Sequence, residues 1–285
     1  MTQEETNIRT RYTRPYISNA VFYIPFSYYY VVRLGTVPKL LSWMMIYWMP
    51  TAFYSAIGYT GSWGLFVLNY FLILFATFSL YECGYIYNDT IAIHHEEQPA
   101  IRLYAHNFDH FARRHSLILG CRLSYSIAAL TALYILNGFT AWRVAAAVGV
   151  MCLCFAIYNR CRGRNNVWLY PLLVCSRYIP FMLLYEQTGL TYLLLFLSFP
   201  LLNALERFSM PRYRWPFMRR LIPNEPAKTH FRVAYYALVL IIGCPIHYAI
   251  QQPLWLLSPI LILGIYRCGL ALLVRKHSLT NYLNG

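Results

Sequence analysis

Residues 63 to 102 read WGLFVLNYFLILFATFSLYECGYIYNDTIAIHHEEQPAIR. From Trp63 to Tyr87 the stretch is almost wholly apolar, and as a helix it is long enough to cross a hydrocarbon layer of about 30 Å. It then turns polar at Asn88 and Asp89 and carries Glu96, Glu97, Pro99 and Arg102 within a few residues. A helix that ends so abruptly on charge is one whose end meets water at a membrane surface. The fold class follows from whether the rest of the chain is built the same way.

It is. Comparable apolar runs occupy about 38 to 57, 116 to 136, 140 to 158, 166 to 186, 190 to 206, 231 to 250 and 254 to 274, so eight membrane spans are expected. The 285 residues are 59% hydrophobic and only 12% charged, too little polar surface to solvate a globule of this size. The net charge of +14 does not indicate nucleic acid, because long apolar runs separate the Lys and Arg residues instead of a polar face carrying them. Their placement indicates topology. The loops after spans one, three, five and seven are short and free of Lys and Arg, whereas those after spans two, four and six are basic, with Arg102, Arg113, Arg160, Arg164, Arg207, Arg212 and Arg220 among them. Basic loops stay on the cytoplasmic side, so both termini are expected there, in a bacterial inner membrane.

The first nineteen residues are polar and have no apolar core, so no cleavable secretory signal is expected. The apolar stretch Ala20 to Val32 is short, contains Pro25 and is followed by Arg33, which reads as an interfacial helix rich in Tyr and not as a ninth span. The expected organisation is therefore a cytoplasmic segment over 1–37 with that interfacial helix, one polytopic domain over 38–276, and a cytoplasmic tail over 277–285. Within the domain, the long loops after spans two and six divide the chain into four-helix halves, about 38–159 and 164–276. Repeated halves commonly place a site at their interface. The cysteines lie mostly inside apolar runs without metal-ligand spacing and read as packing residues.

The acids of the quoted stretch carry the chemistry. Continued helix beyond Asp89 returns Glu96 to the same face two turns later, where both carboxylates can point at one ion. Oxygen ligands of this kind suit Mg²⁺, held by one or two carboxylates together with substrate phosphate, so Asn88, Asp89 and Glu96 are the candidate metal ligands. Glu82 adds a third acid deeper in the span, where a charge is expensive and usually functional.

Asn-Asp at the end of the second span, an acid seven residues later, then Pro and Arg resembles the first signature of the UbiA superfamily of intramembrane prenyltransferases, N-D-x-x-D-x-x-x-D. Asn88 and Asp89 match directly, Glu96 takes the last acid, and Ala92 stands where the middle acid belongs. The run Glu96-Glu97-Gln98-Pro99-Ala100-Ile101-Arg102 also resembles the D-R-x-H-P-x-K-R form of the decaprenyl-phosphate phosphoribosyltransferase branch. Arg33-Leu34-Gly35-Thr36-Val37-Pro38 is similar to the family's R-L-x-x-x-P lead-in, and Arg177 lies in span five where many members carry a basic residue facing the central cavity. The resemblance implies an all-α integral membrane bundle with a central cavity open to the cytoplasmic side.

The second family signature should follow span six and supply another Asp-rich cluster. This chain has NALERFSMPRYRWPFMRRL over 203 to 221, in which only Asn203 and Glu206 can stand in for ligands. The remainder is basic, and Arg207 and Arg212 can bind a diphosphate directly, since guanidinium forks match phosphate oxygens. Among the deep cations, Arg177 is expected to pair with a substrate phosphate or with Glu82, and Arg122 either faces the interior or snorkels. Arg143, Arg232 and Arg267 are expected to snorkel from span ends. The 27 Tyr and 17 Phe residues can anchor the interface, pack the bundle or face an allylic cation.

The expected function is Mg²⁺-dependent transfer of a prenyl group from a polyprenyl diphosphate to a small-molecule acceptor. Asp89, Glu96 and Arg177 would be catalytic, and Arg102, Arg207, Arg212, Asn203 and Glu206 would bind substrate. The alternative on the same fold moves a phosphoribosyl group from a sugar diphosphate onto a polyprenyl phosphate. A different class, a transporter or lipid-binding protein without catalysis, also fits repeated halves and intramembrane charge. The partners on every reading are membrane lipids and phosphorylated small molecules.

Overall fold

The computed structural model describes residues 16–95, 101–161, 166–210, 213 and 215–277, and among them every regular element is helical. The order is α1 (Val37–Trp43), α2 (Met49–Ile57), α3 (Trp63–Thr90), α4 (Ala105–Asn137), α5 (Ala141–Arg160), α6 (Asn166–Met182), α7 (Gly189–Ser198), α8 (Pro200–Phe208), α9 (Pro216–Leu221), α10 (Glu225–Ala249) and α11 (Ser258–His277). Helix covers each of the expected apolar runs, with α1–α2 and α7–α8 each serving one run as a broken pair. By length and composition four helical stretches can cross a membrane: Trp63–His94, Ala105–Arg160, Glu225–Ala249 and Leu254–Leu273. A fifth is added if the bent pair α7–α8 is one span. The Ala105–Arg160 stretch is itself a hairpin. Asn137 at the end of α4 bonds Asn69 near the start of α3, whereas Asn159 at the end of α5 reaches the Gly84 carbonyl near the end of α3, so α4 and α5 run in opposite directions.

Helix α3 is the central post. It packs most heavily on α4, also on α5, and α6 closes against α5. Gly84 permits the α3–α5 approach: a Cβ there would stand 2.4 Å from the Phe155 ring. The main core is strongly aromatic, with Trp43, Tyr47, Tyr70, Phe78, Tyr81 and Tyr178 all buried in it. Large apolar side chains such as Phe71, Ile135, Ile241 and Ile265 stay exposed on the outer helix faces, as expected where the solvent is lipid.

Both helix breaks follow from proline, and both are repaired by tyrosine. Pro50 has no N–H to give the Ile46 carbonyl, and its ring crowds that turn, so the chain widens into a π-helical turn over Met44–Trp48. The freed Ile46 carbonyl accepts the Tyr178 hydroxyl at 3.1 Å, and the Tyr47 carbonyl accepts the Thr51 hydroxyl at 2.7 Å. Pro200 stops α7 and bends the pair by 44°. There the Leu197 and Ser198 carbonyls accept the Tyr235 and Tyr236 hydroxyls of α10, each at 2.7 Å. Where no water is present, a backbone carbonyl left unpaired costs several kcal/mol, on the order of the value for transfer to hydrocarbon, so these hydroxyls make the breaks tolerable.

The segment before α1, where an interfacial helix is expected, is helical in two short pieces. It forms a 3₁₀ turn at Asn19–Phe22 and a π-helix at Tyr29–Leu34, and Gly35, at φ 70°, turns the chain into α1. Phe22, Tyr28 and Val32 are buried against Ile86, Phe111 and Ile118 of α3 and α4 in a second core. Tertiary bonds hold the segment inside the bundle. The Glu82 carboxylate accepts the Phe26 and Tyr29 backbone N–H groups at 2.9 and 2.7 Å, and the Arg122 guanidinium donates to the Val21 and Phe22 carbonyls at 2.9 and 2.8 Å.

Candidate functional site

The helix order brings the ends of α3, α5 and α8 and the starts of α6 and α10 to one end of the bundle, where most of the candidate polar groups lie. Asp89, at the end of α3, is fully buried. One carboxylate oxygen accepts Arg33 at 2.7 Å and Arg102 at 3.1 Å, and the other accepts the Tyr28 hydroxyl at 2.9 Å. Burial, and next the neighbouring Arg33 guanidinium, hold Arg102 below the usual arginine range. Glu206, in α8, is treated alike in the other half of the chain: Arg232 grips both of its oxygens, at 2.5 and 2.8 Å, and Lys228 stands 3.9 Å away. Each half thus holds one acid near the end of its second helical run under two cations.

A further buried cation, Arg177, lies in α6. It is 6% exposed, and its guanidinium sits 5.5, 5.6 and 5.3 Å from the ring centres of Tyr47, Tyr81 and Tyr178. Its bond to the Tyr81 hydroxyl is a long one, 3.4 Å, and its buried Nε meets no acceptor among the described residues. No carboxylate among the described residues pairs with it. Arg207, at the end of α8, is similar: it lies 4.7 Å over Tyr170, donates to the Tyr158 hydroxyl at 2.9 Å, and its Nε is also buried without an acceptor. Arg33 lies 4.5 Å over Tyr85. Edge-on aromatic contacts run from Tyr85 to Tyr81 at 5.0 Å and from Tyr85 to Phe155 at 5.6 Å, and on to Tyr158 at 6.4 Å, so the three guanidiniums border one aromatic wall.

Cation–π contact is worth about 2 kcal/mol when desolvated, while an arginine at bilayer depth costs about 2.5–3.5 kcal/mol even on the lowest scales. The tyrosine faces therefore offset much of the burial of Arg177, and they leave part of its hydrogen-bonding capacity, at Nε, unused. An oxyanion would fill it. A phosphate group, with several acceptor oxygens and more than one negative charge, matches a site built from guanidinium forks and hydroxyls.

Several sequence expectations are displaced. Glu82 pairs with Arg122 and not with Arg177, and Arg122 does not snorkel, for both side chains are fully buried. Arg232 and Arg267 do not snorkel either: Arg232 is taken by Glu206, and Arg267 is buried in α11. Asn203 accepts the Tyr170 hydroxyl at 2.9 Å and so borders the Arg207 cluster. Glu96 and Arg212 lie outside the described residues, so the joint arrangement of Asn88, Asp89 and Glu96 is not described. Among the described residues the donors around Asp89 are two guanidiniums and a hydroxyl. Arg33, Tyr28, Tyr158 and Tyr170 were not singled out from sequence as site residues; the Arg33 lead-in to α1 was the available signal.

No family model, no curated protein and no solved structure matches the chain.

Proposed function

We propose that the chain is a UbiA-like intramembrane transferase of eight spans, with both termini cytoplasmic in a bacterial inner membrane, that takes a polyprenyl diphosphate and moves its prenyl group to an acceptor. The observation that carries the reading is Arg177: a deeply buried guanidinium with no carboxylate partner among the described residues, ringed by tyrosine faces and flanked by Arg33 and Arg207 along one aromatic wall.

In the proposed reaction the C1–O bond of the prenyl diphosphate breaks and its electron pair leaves with the diphosphate. Arg177 and Arg207 take the charge that develops on the leaving oxygens. The allylic cation left behind faces electron-rich rings of the Tyr81 and Tyr85 kind, which stabilise it by quadrupole attraction. An acceptor nucleophile then bonds to C1 and releases a proton to water. The Mg²⁺ requirement expected from sequence depends on Asp89 acting together with Glu96, and none of these steps uses it.

A second reading is favoured by the capture of Glu206 by Arg232 and Lys228, which leaves the α8 end cationic and without a free carboxylate. A cationic second wall suits a pair of phosphorylated substrates, a sugar diphosphate donor and a polyprenyl phosphate acceptor. Purified full-length chain in lipid nanodiscs, given labelled donors with and without EDTA, separates the readings. Diphosphate released from a polyprenyl diphosphate supports the first, and release only from a phosphoribosyl donor supports the second. Binding without turnover of any donor would leave a lipid-binding or transport protein.

A further inference from the structure

We infer that a second phosphate-binding site lies in the cleft between α1 and the α10–α11 pair, apart from Arg177. The cleft measures about 390 Å³ and is lined by Lys39 and Trp43 from α1, Phe199 at the α7–α8 break, and Lys228, Arg232 and Arg267 from α10 and α11. Its volume is near the small end of ligand pockets, about 300–1,000 Å³, which fits a phosphorylated headgroup and not a whole lipid.

Arg232 is bonded to Glu206, and Lys228 lies 3.9 Å from Glu206 and 3.4 Å from Glu225. Among the described residues both carboxylates are thus engaged by other cations, and neither pairs with Arg267. It is 7% exposed, makes no hydrogen bond or ion pair with any described residue, and its Nε is buried without an acceptor. Its contact with the adjacent Tyr266 ring, 5.4 Å away, supplies no acceptor oxygen. A guanidinium so placed is stabilised by an entering oxyanion, and its planar fork suits phosphate oxygens. The start of α10 also lines the cleft through Pro226 and Thr229 and adds the positive end of a long helix. Ile46 and Leu270 complete the wall with apolar surface on which the first carbons of a lipid chain can lie. The shared chemistry is a phosphate group, carried by a lipid monophosphate or by free pyrophosphate.

Binding to the full-length chain in neutral phosphatidylcholine nanodiscs tests this with two probes, dodecyl phosphate and inorganic pyrophosphate. Saturable binding is expected for at least one probe. Dodecyl phosphate alone identifies a lipid source, and binding of both shows that the phosphate group suffices. Arg267→Gln is expected to weaken binding about tenfold or more, the effect of losing a charge-assisted bond, and Arg267→Lys to weaken it less. Lys39→Gln serves if the Arg267 variants melt below the parent chain. Arg177→Gln is expected to leave this binding at the parent affinity, which separates the cleft from the transferase reading. Binding by neither probe, or loss of binding in Arg177→Gln with none in Arg267→Gln and Lys39→Gln, would overturn the inference.

Discussion

Glu82 of α3 and Arg122 of α4 form an ion pair in which both side chains are fully buried, and the bonding capacity left over on each partner fastens the segment before α1. Removing one partner leaves a buried charge uncompensated and also frees the two backbone groups which that partner holds. Arg122→Ala and Glu82→Gln should each lower stability by about 3–5 kcal/mol. Replacing both by apolar residues, Glu82→Leu with Arg122→Met, should cost less than the sum of the single changes. Reversible unfolding in mixed micelles measures this, and proteolysis between Ala20 and Arg33 should accelerate in the single variants. Additive losses would show that the two residues do not act as a unit.

Asp89 carries a comparable burden, because it is fully buried and answers Arg33, Arg102 and Tyr28 at once. Asp89→Ala is therefore a poor probe of chemistry alone. It should reduce folded yield as well as any turnover, with a stability loss of about 3–5 kcal/mol. Tyr28→Phe, which removes one neutral donor, should cost only about 1 kcal/mol. Equal melting of Asp89→Ala and the parent chain would contradict the described ion cluster.

Gly84 is the narrow point between α3 and α5. A Cβ added there meets three atoms of the Phe155 ring at 2.4 to 2.6 Å, and a packed ring has little room to withdraw. Gly84→Ala should destabilise by about 1–3 kcal/mol through overpacking, and pairing it with Phe155→Leu should recover part of the loss. Wild-type melting of Gly84→Ala alone would mean that the helices stand farther apart.

The tyrosines at the helix breaks offer a test of why this chain is so rich in them. Tyr236→Phe keeps the ring and removes the hydroxyl from the Ser198 carbonyl, and Tyr178→Phe does the same at Ile46. Each should cost about 1–3 kcal/mol for a buried acceptor left unmade. Tyr30→Phe, on a part-exposed side chain, should be close to neutral. Equal effects at all three positions would refute the role of hydroxyls as backbone caps.

The helices were legible in the sequence because apolar length is a local property: the run from Trp63 carries its own signal, and Ser62 caps its start by accepting the Leu65 N–H. The placement of charge at one end was equally legible, and so was the depth of Arg177. Partner choice was not. Glu82 meets Arg122 only because α3 and α4 run antiparallel, and nothing in either run states which of two deep arginines lies opposite. The anchoring of the segment before α1 was not legible for the same reason. It is short and interrupted by Pro25, and its insertion depends on Glu82 and Arg122, which are far away in sequence. Tyr178 and Tyr236 gave no local sign that they complete backbone elsewhere. The converging carboxylates of Asp89 and Glu96 stay a sequence expectation, since Glu96 lies outside the described residues.

The central claim is that Arg177 holds the diphosphate of a polyprenyl donor inside the bundle, and diphosphate release by the full-length chain in nanodiscs measures it most directly. Labelled polyprenyl diphosphates of several chain lengths should be tried with candidate acceptors. Arg177→Gln should lower release about a hundredfold or more, the scale of losing one preorganised charge donor to a leaving group, while melting close to the parent chain. Arg177→Lys should retain part of the activity. Release from Arg177→Gln at the parent rate, or no release by the parent chain from any of these donors, would contradict the account.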